Sequence, residues 1–363
     1  MKIAILGDNS SVHVQKWIKA LAEDTSLEIF VFSNLKGVEF DHVKYFYFKK
    51  YTEQKLNYLL NVSFVRKKIK EIRPQLLHAH YASSYGLIGA LCQFHPYLIT
   101  GWGADIFDVP NQNFIYKKLI KYAFSKADAI TVLSKMTLPE IAKLTDKKVT
   151  LVPFGIDTEK FKFISRNWAR DVFRIGTART FATKYGLEYL IEAIGIVKKK
   201  YPSIRLELIG DGPLKNKMIE QINSLGLNNE ITLHGFINQN SAWEKYISIL
   251  NSLDVYTVTS ILDSDTFGVA GVEASACGIP VIVSDVGGLP EVIKNNVTGI
   301  VVPPKNSFAI AEAIISLIEN KNQRIDMGIA GKRRVDENYD WKKNVAQMMD
   351  VYRNTIESYS LKT

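Results

Sequence analysis

The chain has 363 residues, 47% of them apolar and 23% charged, a balance that excludes both a disordered chain and a membrane-embedded one. The formal net charge is +9, and residues 1–170 hold the whole excess, with 25 Lys and Arg against 15 Asp and Glu. Two cysteines, Cys92 and Cys277, exclude a disulfide framework and a Cys-rich zinc site.

The length predicts two domains. At the N-terminus, Lys2 is followed only by the short apolar run Ile3–Leu6 before Gly7 and Asp8, so no secretory signal is read there and a cytoplasmic chain is expected. The basic first half predicts an anionic partner, such as membrane lipid, a lipid-phosphate acceptor or nucleic acid, with a merely solvated surface as the alternative.

In chain order, the first unit reads strand Ile3–Gly7, turn Asp8–Ser11, then a helix carrying Val14, Trp17, Ile18, Leu21 and Ala22 at helical spacing. Strands are predicted at Glu28–Ser33, Leu76–Tyr81, Tyr97–Thr100, Ala129–Leu133 and Val149–Pro153, with helices between several of them. Around Asp157–Arg170 the apolar rhythm breaks, which predicts a linker. A second series begins at Phe173–Gly176. It continues with helix Leu187–Lys198, strands Ile204–Ile209, Ile231–Leu233, Asp254–Thr259, Val281–Val283 and Gly299–Val302, and helices Val269–Cys277 and Phe308–Ile318. Short buried strands alternating with helices predict two doubly wound α/β domains, 1–165 and 171–340. Ligands of such sheets bind outside the carboxyl ends of the strands, so polar residues there carry most weight.

The most informative run is Asp265-Thr-Phe-Gly-Val-Ala-Gly-Val-Glu273, continuing to Gly278-Ile-Pro280. Glu273 lies in a helix of small and apolar residues, where a carboxylate needs hydrogen-bond donors. Sugar hydroxyls would serve, as would a local Arg or backbone group. Gly268 opens that helix, where unpaired N–H groups and the helix dipole favour an anion. Asp265 just upstream can accept from a ligand beside that anion, or simply cap the helix.

From Asp265 to Glu291, with the Gly287-Gly288 loop, the chain resembles the donor-site signature of glycosyltransferase family 4. The resemblance extends to Val152–Phe161 and to Ile209-Gly-Asp-Gly-Pro213. It implies a GT-B fold, two Rossmann-like domains facing each other across a cleft, with a C-terminal helix 341–358 returning to the first domain. It also implies a retaining, metal-independent hexosyltransferase that uses a nucleoside-diphosphate sugar as substrate and needs no cofactor. A UDP-sugar is the expected donor.

By this resemblance Arg179 and Lys184 bind the diphosphate and stabilise the leaving group, which fits the charge that sugar transfer leaves on it; alone, each would read as a solvated loop charge. Glu273 would hold the ribose, and Asp265 with the Phe267, Gly268 and Val269 backbone the hexose. Asp265 stands where Glu is usual. Asp263-Ser-Asp265 overlaps that acidic position and is not read as a metal pair. Trp102 stands near the place of a family His and cannot act as a base, leaving stacking or shape. Asp105 is the first-domain candidate for holding a sugar hydroxyl or stabilising the anomeric charge, with capping of its turn as the alternative.

The loop containing Gly7, Ser10 and Ser11, with His13, opens the first helix on the expected acceptor side. His13 is either a contact there or structural, whereas His78 and His80 read as packed or locally bonded. The stretch from Lys44-Tyr-Phe-Tyr-Phe-Lys-Lys50 to Arg66-Lys-Lys-Ile-Lys70 reads either as an interfacial surface or as a packed aromatic strand followed by a solvated basic helix. The expected acceptor is a lipid-linked sugar or a surface glycan at the inner membrane face. Nucleic-acid binding would explain only the charge. A catalytically silent GT-B partner subunit and a sugar-nucleotide epimerase on the same fold are the alternatives.

Overall fold

The computed structural model describes residues 1–52, 56–164, 171–237 and 242–361. The chain divides into two compact units, Met1–Pro153 with Lys342–Thr363, and Phe154–Trp341.

The first unit is a seven-stranded parallel sheet built from β1 (Lys2–Leu6), β2 (Glu28–Ser33), β3 (Val43–Tyr47), β4 (Leu76–His80), β5 (Tyr97–Gly101), β6 (Ala129–Val132) and β7 (Val149–Leu151). Their order is β3-β2-β1-β4-β5-β6-β7. In register, Ile3 pairs with Ile29 on one side and Leu76 on the other. Apart from Lys2, the residues of the central strands β1, β4 and β5 are buried, because helices cover both sides of the sheet. Chain order reverses at β1 and β4, so their carboxyl ends form the switch point where such sheets bind ligands. The aromatic stretch from Lys44 contributes β3 at the sheet edge, and Arg66, Lys67 and Lys70 lie exposed on helix Val62–Ile72. The expected strand Leu76–Tyr81 ends one residue earlier because Tyr81 turns to a left-handed φ of 77°.

The second unit is a six-stranded parallel sheet of β8 (Phe173–Ala178), β9 (Ile204–Ile209), β10 (Ile231–Gly235), β11 (Val255–Val258), β12 (Val281–Ser284) and β13 (Gly299–Val302). Its order β10-β9-β8-β11-β12-β13 puts the switch point at β8 and β11.

The division between units falls at residue 153, ahead of the expected 165–171. The reason is aromatic packing. Phe154 lies 5.3 Å from Trp341, Phe161 lies 4.8 Å edge-on from Trp243, and Ile156 exchanges backbone bonds with Tyr339 and Trp341, all within the second unit. Part of the expected linker, 165–170, lies outside the described residues.

Helix Trp341–Ser360 contributes its residues from Lys342 onward to the first unit. Asn344 and Gln347 donate to the carbonyls of Pro153 and Leu151 at 2.9 and 2.8 Å. Its buried Tyr352 hydroxyl bonds His78 Nδ1 at 2.7 Å. His78 Nε2 in turn bonds Thr100 Oγ1, which meets Thr131 Oγ1 at 2.6 Å. This polar chain runs across β4, β5 and β6 and satisfies groups that burial would otherwise penalise.

Candidate functional site

Arg179 is the first residue after β8. Two glycines of Ile209-Gly-Asp-Gly-Pro213 hold its segment in place. A Cβ at Gly210, whose φ is 145°, would stand 1.9 Å from the Arg179 carbonyl oxygen, and one at Gly212 would meet the Phe181 carbonyl at 2.6 Å. The Arg179 and Phe181 amides donate to the carbonyls of Ile209 and Asp211 at 2.9 and 3.0 Å. This second motif therefore acts by close backbone approach.

The Arg179 side chain is 12% exposed. Its guanidinium lies 5.2 Å from the centre of the Tyr185 ring, and Lys184 Nζ lies 5.0 Å from the same ring. Both cations thus lie against one aromatic ring. Nη2 of Arg179 stands 3.1 Å from Asp265 Oδ2, a charge contact without hydrogen-bond alignment. Among the described residues, Nε and Nη2 of Arg179 have no hydrogen-bond acceptor although both are buried. Burial pulls this guanidinium toward its neutral form, but Asp265, with Tyr256, Tyr185 and Tyr246, outweighs that and raises its pKa. A buried, charged fork with unmet donors can accept an anion.

Gly268 sits beside it as the residue before helix Val269–Ala276. Its φ is 63°, and a Cβ there would come 2.4 Å from Leu289 Cδ2 and 3.6 Å from Arg179 Nη2. The helix N-terminus, with its unpaired amides, therefore lies next to the cation. Val269 is half-buried in the first turn. The Phe267 side chain is buried edge-on to Tyr339 and Phe154 within the second unit, so only its backbone is available to a ligand.

Asp265 is 8% exposed, and its Oδ2 accepts from Ser260 Oγ at 2.6 Å. The Gly287-Gly288 loop braces it: Gly287 N donates to Asp263 Oδ1 at 2.9 Å and Gly288 N to the Asp265 carbonyl at 3.2 Å. Asp263 is thus a loop-holding residue. No group of three or more potential metal ligands occurs among the described residues.

Glu273, 7% exposed, accepts from the Tyr246 hydroxyl at 2.7 Å. That partner lies on helix Trp243–Ser252 and carries no signal in the sequence, where an Arg, a backbone group or a sugar was expected. Tyr246 and Tyr256 both interact electrostatically with Glu273 and with Arg179, which puts the acid and the cation in one neighbourhood.

In the first unit the candidates gather at the carboxyl ends of β1, β4 and β5. Trp102 stacks on Tyr81 at 5.7 Å and lies 5.9 Å from His13 and 5.6 Å from His80. Gly7 abuts this cluster, since a Cβ there would meet Val14 at 3.0 Å and His80 at 3.5 Å. Ser10 donates through both N and Oγ to Asp8 Oδ1, and Ser11 N bonds the Asp8 carbonyl, so these serines shape the turn. Buried Asn9 anchors that turn to Ser33, Val38 and Tyr47, a role its place in the sequence did not disclose.

Two histidines of β4 behave differently. His78 is bonded at both nitrogens, whereas both ring nitrogens of His80 are buried without a hydrogen-bond partner among the described residues. Burial lowers the His80 pKa to about 3, so it is neutral at physiological pH.

Asp105 lies deep in the first unit. It is fully buried, accepting from Ala82 N at 2.7 Å through Oδ2 and from Trp102 N and Gly103 N at 3.0 and 2.9 Å through Oδ1. Burial raises its pKa against the opposing pull of these amides. Through both oxygens Asp105 holds the loop after β5, the capping arrangement given above as its alternative.

Two family models match the chain: "Glycosyl transferases group 1" over residues 158–334 and "Glycosyl transferase 4-like" over residues 2–134. An uncharacterized glycosyltransferase of Methanocaldococcus jannaschii is 26% identical over 94% of this chain and 93% of its own length. A GDP-mannose-dependent alpha-(1-6)-phosphatidylinositol monomannoside mannosyltransferase of Mycobacterium tuberculosis is 24% identical over 62% of each chain. Among solved structures, Anabaena HepE in complex with UDP-glucose superimposes with a TM-score of 0.81, at 19% identity, over 98% of this chain and all of its own. Two parallel sheets in this arrangement, with solved structures matched over nearly their whole length, make this a two-domain GT-B fold. The chain belongs to the group 1, family 4-like glycosyltransferases.

Proposed function

We propose that this glycosyltransferase moves a hexose from a nucleoside-diphosphate sugar, a UDP-sugar in the first instance, to a lipid-linked or surface-glycan acceptor with retention of configuration. The observation that carries this reading is the buried Arg179 guanidinium, with donors unmet at Nε and Nη2, beside the N-terminus of helix Val269–Ala276. A diphosphate would satisfy those donors, and Lys184 beside the Tyr185 ring would add a second cation. Fixed positive charge there stabilises the departing diphosphate, which is the ground for proposing that no metal is needed. Glu273 would take a ribose hydroxyl, and Asp265 with the Gly268–Val269 backbone the hexose. The complex of HepE with UDP-glucose supports uridine as the base; the mycobacterial relative's GDP-mannose is the competing donor.

In the proposed chemistry the bond from the anomeric carbon to the diphosphate breaks while the acceptor hydroxyl attacks from the same face. The leaving phosphate takes the acceptor's proton. Asp105 is not proposed as a nucleophile, since both its oxygens accept from backbone amides. Trp102, His13 and Gly7 are proposed to face the sugar or acceptor in the first unit.

Exposed Arg66, Lys67 and Lys70, with Leu56, Leu59 and Leu60 on the preceding helix, support contact with an anionic bilayer. No helix among the described residues is long and apolar enough to cross a membrane.

The test is a binding panel of UDP, GDP and ADP and their sugars, read by calorimetry on wild type and Arg179→Ala. One diphosphate should bind the wild type and lose about 100-fold in affinity in the variant. Equal binding by both proteins would overturn the reading. NMR of the product's anomeric configuration, transfer assayed in chelator, and flotation with anionic vesicles test retention, metal independence and membrane contact in turn. A trapped glycosyl-enzyme would refute the one-step chemistry.

A further inference from the structure

Arg179 and Ser260 follow the two strands that flank the switch point of the second sheet, β8 and β11, and a single carboxylate oxygen meets both side chains. Asp265 Oδ2 accepts from Ser260 Oγ at 2.6 Å and lies 3.1 Å from Arg179 Nη2. Ser260 is completely buried, so its hydroxyl is available to the protein and not to a ligand. The Asp265 backbone is fixed by Gly288 N, and Gly287 cannot carry a side chain because a Cβ would stand 2.6 Å from the Asp265 carbonyl oxygen. The carboxylate thus has a set position before any ligand arrives.

An arginine side chain carries about 2 kcal/mol of rotamer entropy, and ordering it in advance removes that cost from binding. The contact with Asp265 is a charge contact that leaves the Nε and Nη2 hydrogens unspent, so it can aim the fork without saturating it.

We infer that Ser260 and Asp265 form a positioning relay that holds the Arg179 guanidinium in its diphosphate-binding pose, so that Asp265 acts on the donor's diphosphate through Arg179. Ser260 becomes a determinant of donor affinity although it touches no substrate. The inference rests on the proposed role of Arg179 as diphosphate ligand.

A double-mutant cycle on the full chain tests it, with UDP, GDP or ADP, whichever the wild type binds, as a probe that lacks the hexose. Ser260→Ala and Asp265→Asn should each weaken diphosphate binding, by about threefold and about tenfold. In an Arg179→Ala background both effects should vanish, because the relay then has nothing to position. A merely structural role would weaken binding equally in both backgrounds, through the Gly268 amides and Glu273, and would overturn the relay. So would an Asp265→Asn variant that keeps wild-type diphosphate affinity and loses only the preference for the intact sugar donor. Unliganded melting temperatures check that each variant is folded, and the Ser260→Ala arm decides the matter should Asp265→Asn not fold. Arg179→Ala binding as tightly as wild type would instead refute the underlying site, a result distinct from additive effects in the cycle.

Discussion

The Tyr246 hydroxyl donates to Oε2 of Glu273 at 2.7 Å, and both residues are buried within the second unit. Removing the Tyr246 hydroxyl takes a donor from a buried carboxylate, and lost hydrogen bonds to buried charged groups are costly. Tyr246→Phe should destabilise the protein by about 1–3 kcal/mol. Denaturant unfolding followed through the second unit's tryptophan fluorescence measures it, and an unchanged midpoint would mean that Glu273 relies on other donors.

Gly268 is held at φ 63° with Leu289 Cδ2 where its Cβ would be. Gly268→Ala should cost about 1–3 kcal/mol from the left-handed backbone alone. It should also reduce diphosphate affinity, because the helix start lies beside Arg179. Pairing it with Leu289→Ala relieves the side-chain clash and leaves the backbone cost, so the double variant should remain less stable than Leu289→Ala alone.

His80 makes a pH prediction. Its pKa falls from 6.5 in the unfolded chain to about 3 in the folded one, so between those values the unfolded state binds the extra proton. Stability therefore declines as pH drops below 6.5 and continues to decline toward 3, by roughly 4 kcal/mol from this residue. His80→Gln removes that titration and should flatten the stability curve over the acid limb. Parallel urea midpoints from pH 7 down to pH 4 test it, and superimposable slopes would contradict the buried, neutral imidazole.

Asp105→Asn should act through stability. One amide oxygen cannot serve Ala82, Trp102 and Gly103 as two carboxylate oxygens do, so a loss of about 1–3 kcal/mol is expected. Transfer per folded molecule should stay near wild type. A fall in turnover of the 10²–10⁴-fold size typical of a lost general acid or base would restore a direct catalytic role.

Much of the fold was legible because buried parallel strands leave runs such as Ile204–Ile209 and Val281–Ser284, separated by segments of helical period. The edge strand β3 was harder to assign. Its Val43–Tyr47 run is only half-buried and mixes lysine with aromatics, so the same residues read equally well as an interfacial surface. In the site, Gly268 and the Gly287-Gly288 loop stood out because they belong to one contiguous signature. Ser260, Tyr246 and Asn9 did not: Tyr246 and Asn9 are ordinary polar residues whose partners lie on other elements, and Ser260 reaches Asp265 only through the path of their shared loop.

The residues alone determined the α/β class, the doubling of the domain, and the presence of Arg179, Lys184 and Asp265 after strands and of Glu273 in a helix. Those properties follow from local periodicity and from short motifs whose members are neighbours in the chain. Which way a polar side chain turns was decided only on folding. Parallel strands are joined by long crossovers, so the contact of Asp265 with Arg179, or of His78 with Tyr352, depends on how distant segments come to lie side by side. For the same reason Asp105 turns inward to backbone amides while Arg179 keeps donors unspent, a difference that burial and partner geometry impose and that residue type does not encode.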